Sequence, residues 1–171
     1  GILQSNDGQT IIELIPDNLK LNYEPWTINP ENQIKIGDGI YANNFELGKD
    51  GSSIKLQSQS ETPNAPLAVE LKDFKIETIT NIIQQDSLLV GGRINGNALL
   101  KNLQKEPTFT ADLTVDDFNF KTDTIGNIKI NVNNEVANTY DAKVEITGKG
   151  NQVNLDGKYF ASRQGFDMNL D

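Results

Sequence analysis

Apolar residues fall at every second position over most of this chain, and the two clearest runs adjoin each other. The first is Leu88-Leu89-Val90-Gly91-Gly92-Arg93-Ile94-Asn95-Gly96-Asn97-Ala98-Leu99-Leu100, in which Val90, Ile94, Ala98 and Leu100 share one parity. A polar break from Lys101 to Pro107 follows, after which Phe109, Ala111, Leu113 and Val115 alternate in the same way. Side chains at i and i+2 leave the same side of a strand. Each run is therefore expected as a strand with one apolar face and one face of Arg, Asn, Lys, Thr and Asp. Pro107 has no N–H for a ladder and belongs at a strand start or edge. The two runs together predict an antiparallel pair.

The same period recurs on both sides. Towards the N-terminus, Ile12 and Leu14, then Leu19, Leu21 and Tyr23, alternate around a turn at Pro16-Asp17-Asn18. Trp26 and Ile28 lie between Pro25 and Pro30 and are expected to be extended. Ile34 and Ile36 precede Gly37-Asp38-Gly39. Ile40, Phe45 and Leu47 precede the turn Lys49-Asp50-Gly51, and Ile54 and Leu56 follow it. Asp-Gly between alternating runs is a strong hairpin signal. Residues 58–66 read as a loop, and Leu67, Val69 and Leu71 alternate again. Phe74, Ile76, Ile79, Ile82 and Ile83 then change the spacing to that of one apolar stripe, which predicts a short helix over 77–85.

Beyond Val115, Phe118 and Phe120 have the opposite parity, so Asp116-Asp117 must absorb one extra residue as a bulge or strand end. A turn is expected at Thr122-Asp123-Thr124. Ile128, Ile130 and Val132 form the next run, then Tyr140, Ala142, Val144 and Ile146, then Val153, Leu155 and Tyr159, and last Phe166, Met168 and Leu170. Strands at this spacing, with turns between them, are the all-β signature. Lys72-Asp73-Phe74-Lys75-Ile76 and Asp116-Asp117-Phe118-Asn119-Phe120 share an Asp-Phe-x-apolar core, a hint of a duplicated meander. The expected apolar lining comprises Val69, Leu71, Val90, Ile94, Ala98, Leu100, Phe109, Leu113, Val115, Phe118, Phe120, Ile128, Ile130, Val132, Val144, Ile146, Val153 and Leu155.

Composition narrows what such a face can do. Hydrophobic residues make up 36 % of the chain, and 15 Lys plus Arg against 24 Asp plus Glu give a net charge of -9. That charge repels phosphate backbones and anionic headgroups, so nucleic acid is a poor partner. The chain has no histidine and no cysteine. The usual general base, thiolate and imidazole metal ligands and disulfides are all missing with them. No run approaches the roughly 20 apolar residues that span a bilayer. The chain starts and stops within the alternating pattern, as a piece of a longer protein would.

Candidate chemistry is thin. Gly91-Gly92-Arg93-Ile94-Asn95-Gly96 sits inside a strand pattern with no helix after it, so a bend or close backbone approach fits better than a phosphate loop. Asp116 and Asp117, near Asp112, diverge if they are neighbours on a strand, and fit a solvated bulge better than an acid–base pair. Asp38-Gly39, Asp50-Gly51 and Asp156-Gly157 are expected as turns and lack calcium-loop spacing. Arg93 and Arg163 have no evident partner. The expectation is no enzyme, with no catalytic residue, no cofactor and no metal; a carbohydrate-active enzyme would need paired carboxylates in one cleft.

A face this long needs a cover, which a second sheet, a closed barrel or a lengthwise fold could each supply. A sheet curled along its strands would leave a lined trough suited to acyl chains. Exposing a tail costs roughly 0.8 kcal/mol per CH2, so shielding about sixteen carbons offsets on the order of 10 kcal/mol.

The segment Phe74-Lys75-Ile76 with Ile79, Ile82 and Ile83, then Leu88 to Gly96, Leu99-Leu100-Lys101-Asn102-Leu103 and Pro107-Thr108-Phe109-Thr110-Ala111, resembles the TamB family. These translocation and assembly module subunits are related to the AsmA-like bridge proteins of lipid transfer. Asp123-Thr124-Ile125-Gly126-Asn127-Ile128 and Val153-Asn154-Leu155-Asp156-Gly157-Lys158-Tyr159 look similar as well, and the likeness spans about 67–159. The resemblance implies one β-taco segment over 1–171, an elongated antiparallel sheet around an apolar inner groove. It further implies a periplasmic location in a Gram-negative envelope, with the parent protein anchored in the inner membrane. Outer-membrane biogenesis is the implied role, through phospholipid transport between membranes or assembly of outer-membrane proteins with an Omp85-family partner. The rival expectation is a sealed β-sandwich or solenoid used for structure or adhesion.

Overall fold

The alternating runs form strands throughout. The structure, a computed structural model, describes residues 1–171 except 7, 22, 63, 79–89, 104–105, 135–137 and 161–164, and of residues 6 and 151 the backbone alone. In chain order the strands are β1 (Ile2–Asn6), β2 (Gln9–Glu13), β3 (Lys20–Leu21), β4 (Glu24–Pro25), β5 (Thr27–Ile28) and β6 (Gln33–Ile36). Then come β7 (Ile40–Asn43), β8 (Phe45–Lys49), β9 (Ser52–Ser58), β10 (Leu67–Lys75), β11 (Val90–Lys101) and β12 (Thr108–Phe120). The last are β13 (Asp123–Asn133), β14 (Thr139–Gly148), β15 (Asn151–Phe160) and β16 (Gly165–Leu170).

Ten of them make one antiparallel sheet in the order β5-β8-β9-β10-β11-β12-β13-β14-β15-β16. From β8 onward every strand pairs with the next in sequence, so the connections stay local. The sheet is not closed into a barrel: its order is linear, with β5 and β16 at its ends. A smaller sheet, β1-β2-β6-β7, joins it where the chain runs from β7 into β8 through Asn44, at φ 48°. Strands β3 and β4 form a separate pair.

Turn chemistry sets the registers. Asp50 and Gly51, at φ 51° and 83°, link Lys49 to Ser52, and Lys149 and Gly150, at 49° and 82°, link Gly148 to Asn151. Positive φ at both central residues matches the right-handed twist of the flanking strands. The expected bulge at Asp116-Asp117 is present: the register shifts between Val115 and Phe118, with Asp117 at φ 54°. Asp73, before Phe74, does the same at φ 44°. The two Asp-Phe units are thus one device, an aspartate flipped outward so that the phenylalanine returns to the apolar side. In both, an asparagine of the next strand accepts from the flipped N–H, Asn95 Oδ1 from Asp73 at 2.7 Å and Asn127 Oδ1 from Asp117 at 3.1 Å.

Several expectations need correction. Asp156-Gly157 is no turn but the middle of β15, opposite Lys143 and Ala142. The β12–β13 turn lies at Lys121-Thr122, and Asp123 and Thr124 already belong to β13. Tyr23 turns outward at φ 64° and is exposed, because the chain reverses there between β3 and β4. Residues 76–78 are helical, and the rest of the expected helix lies outside the described residues. Among the described residues no helix is long and apolar enough to cross a membrane.

Candidate functional site

Register brings the expected lining residues onto one side. A single row of direct cross-strand partners runs Leu170–Leu155–Val144–Ile130–Leu113–Gly96–Leu71–Ile54–Leu47–Ile28 through all ten strands. Only Gly96 interrupts its side chains. On one flank runs Val153–Ile146–Ile128–Val115–Ile94–Phe74. On the other run Val132–Ala111–Ala98–Val69–Leu56, and beyond them Leu100 opposite Phe109. Val90 opposite Phe120, with Phe118 opposite Gly126, completes the set. Nine inter-strand steps of about 4.8 Å make the main row roughly 43 Å long.

Cover is uneven along this face. At the β5 end, Trp26, Ile28, Leu47 and Phe74 form the core, and Leu14, Leu19 and Leu21 pack against it. The Trp26 and Phe74 rings lie 6.2 Å apart, a tilted aromatic pair. Asn32 holds the covering segment down: its Oδ1 accepts from the Leu14 N–H at 2.8 Å, and its Nδ2 donates to the Leu14 carbonyl at 2.7 Å. Val115 and Ile128 are also buried. Most of the remaining lining is half-buried, and Phe120 and Val153 are exposed. Phe166, Met168 and Leu170 at the β16 edge are 67, 58 and 66 % exposed. Phe109, Tyr140 and Tyr159 stack in sequence, with ring centroids 5.9 and 5.8 Å apart.

The opposite face carries the charge. Lys143 faces Asp156 at 3.7 Å, Lys158 faces Asp141 at 3.0 Å and Lys129 faces Glu145 at 4.0 Å. These solvated pairs fix register more than they stabilise. Arg93, which sequence left without a partner, reaches Asp117 across the bulge, while Asp116 accepts from Asn95 Nδ2 at 3.1 Å. Arg93 and Asn95 share one face of β11, so the expectation that the two aspartates diverge is corrected: the bulge turns both carboxylates to the polar side. Arg163 lies outside the described residues. Gly92 and Gly96 have φ of 141° and 130°, and a Cβ on Gly96 would overlap the Asp112 carbonyl. The glycine run is therefore a site of close backbone approach.

Among the concavities that sequence reasoning missed, two are the larger. One, of about 530 Å³, opens on the side of Lys55, Gln57, Glu70, Asn97 and Asp112, with Ala68 and Leu99 helping to make its wall largely apolar. The other, also about 530 Å³, lies by the small sheet among Gln9, Lys35, Asp38, Tyr41 and Glu61. Partial burial and the adjacent Glu61 push the Tyr41 phenol up, and the Lys35 ammonium sits 5.3 Å from its ring centre. Tyr41 and Glu61 meet in the second of these, and among the described residues no group of acidic side chains could hold a metal ion. No protein-family model, no curated protein and no solved structure matches this chain.

Proposed function

We propose that this chain is a non-enzymatic, groove-forming segment whose apolar face shields phospholipid acyl chains. The observation that carries the reading is the apolar row through all ten strands, covered at the β5 end and increasingly exposed towards β16. A tail requires continuous apolar area and no particular polar contact, and this face offers that. Curling of the sheet around the guest, in the manner of a β-taco, would complete the enclosure. The resemblance to the TamB family adds the setting: a periplasmic segment in outer-membrane biogenesis, tethered through its parent chain and working with an Omp85-family partner. Amphipathic strands of nascent outer-membrane proteins, which share the period-two pattern, are the competing guests.

The test uses the purified chain, loaded from phosphatidylethanolamine vesicles and analysed by native mass spectrometry and lipid extraction. Bound phospholipid is expected, and Ile130→Lys or Val144→Lys should remove it while the β-sheet circular dichroism is kept. Folded variants that still retain lipid, or a wild-type chain that never acquires any, would overturn the proposal. Displacement of the lipid by a synthetic amphipathic strand would show that the two guests share this face.

A further inference from the structure

The hollow beside the small sheet owes its depth to absent side chains. Ile11, Lys35 and Tyr41 are direct cross-strand partners across β2, β6 and β7. Two residues further along, Gln9, Gly37 and Gly39 continue the same face, with the Gly37 N–H bonded to the Gly39 carbonyl at 3.0 Å. Glu61 and Thr62, from the connection between β9 and β10, form the facing wall. That connection is held by its own bonds: Gln59 N donates to the Pro66 carbonyl at 2.9 Å and Ala65 N to the Thr62 carbonyl at 3.1 Å. The Ser60 and Thr62 hydroxyls lie 2.7 Å apart. A Cβ on Gly39 would stand 2.7 Å from the Asn64 nitrogen, so glycine there lets the connection close down on the sheet. Glu61 then accepts a hydrogen bond from the Tyr41 phenol.

The polar groups lining this hollow carry both signs. Lys35 can only donate, the Asp38 and Glu61 carboxylates can only accept, and the Gln9 amide does both. No hydrogen bond or ion pair joins the side chains of Gln9, Lys35 or Asp38 to any described residue, and the Lys35 ammonium sits over the Tyr41 ring. We propose that this hollow binds a neutral pyranose sugar. A net anion would meet two carboxylates, and a net cation would meet Lys35. Each hydroxyl of a sugar both donates and accepts, so one neutral ligand serves both kinds of group. Neighbouring hydroxyls suit the two-pronged carboxylate and amide groups, and Ile11 with the Tyr41 ring offers apolar surface to the C–H side of the sugar ring. A volume of about 530 Å³ falls in the range of small-ligand pockets. No residue of the apolar row lines it, so sugar binding and acyl-chain binding succeed or fail separately.

Titration of the full chain with D-glucose, D-galactose and D-mannose, read by calorimetry and saturation-transfer NMR, tests it. At least one of the three should bind, and its uronic acid and 2-amino derivatives should bind more weakly. A methyl glycoside that binds as well as its free sugar marks a residue of a glycan as the ligand, and one that no longer binds marks the free sugar; both support the site. Gly37 is not at a positive φ, and a Cβ there meets only Gln9, at 3.5 Å. Gly37→Val should therefore keep the fold, fill the hollow and abolish binding. Asp38→Ala removes an exposed charged acceptor and should weaken binding by roughly 10- to 100-fold. A chain that binds none of the three sugars overturns the proposal. So does a uronic acid or amino sugar that binds more tightly than its neutral parent, or binding that survives in folded Gly37→Val. Should Gly37→Val fail to fold, Asp38→Ala decides the matter, and an affinity equal to that of the wild-type chain overturns it.

Discussion

The two ends of the apolar face follow one alternating pattern and meet different fates. At the β5 end, Ile28, Leu47 and Phe74 are 6, 7 and 3 % exposed, whereas Leu170, in the same row as Ile28 and Leu47, is 66 % exposed. Both ends have the strand, the parity and the residue type. What differs is that residues Leu14, Leu19, Leu21 and Trp26 come back over one end, and no described residue does so over the other. Alternation therefore decides which side of a strand is apolar, while cover decides whether that side is core or surface. At about 25 cal/mol per Å² of apolar area removed from water, the covered end anchors the fold, and the open end gains little of that stabilisation.

Truncation should separate the two ends most widely. Phe74→Ala deletes a ring packed against Trp26 and should cost about 3–5 kcal/mol, read from urea unfolding of the purified chain. Leu170→Ala at the open end should stay within about 0.5 kcal/mol. Equal costs at both sites would mean that the β16 end is covered too, and the comparison would fail.

Two glycines on the same face sharpen it further. Gly96→Ala places a Cβ against the Asp112 carbonyl at φ 130°, and should lose on the order of 1–3 kcal/mol from backbone strain before any repacking. Gly157→Ala, opposite Ala142, meets only the Ala142 carbonyl at 3.9 Å in ordinary contact. It should be neutral, or stabilise by about 0.4–1 kcal/mol as the unfolded chain loses freedom. Matching losses in the two variants would show that the outer strands are as closely packed as the middle of the sheet.

Much of this was legible in the sequence, and the reasons are physical. Period two is a property of the strand itself, so the partners of Ile130, Val144 and Leu155 follow from parity once the turns are placed. The bulge at Asp116-Asp117 is likewise forced by the parity clash between Val115 and Phe118. Cover is a long-range property and left no such trace. Nothing in the local pattern says that Leu14 and Leu19 return to Trp26, or that Asn32, 3 % exposed, bonds both backbone groups of Leu14. The turn expected at Asp156-Gly157 failed for a related reason. An Asp-Gly pair is permissive, and β15 is held straight through it by β14 and β16 on either side. The hollow beside Ala68 and Leu99 escaped notice because strand pairing, not the pattern of any one run, brings these residues beside Gln57 and Thr110.

The smallest effect tests how the cover is held at the β5 end. Glu24, beside the β3–β4 reversal, pairs with Lys49 at the end of β8, and so ties the returning segment to the large sheet. The hydrogen bond from Lys49, followed by its charge, holds the Glu24 carboxyl below the usual glutamate range. A carboxyl whose folded pKa is depressed contributes stability above its unfolded pKa and loses it as pH falls through the folded value. The stability difference between the wild-type chain and Glu24→Gln should therefore be level from neutral pH down to the ordinary glutamate range. It should shrink to nothing as pH drops below that range, and salt at neutral pH should erode it as well, because the pair is solvent-accessible. Urea unfolding of both chains across this pH series measures it. A difference that instead grew on acidification would mean that Lys49 is not what holds Glu24 ionised, and the tie between the covering segment and β8 would have to lie in its apolar contacts alone.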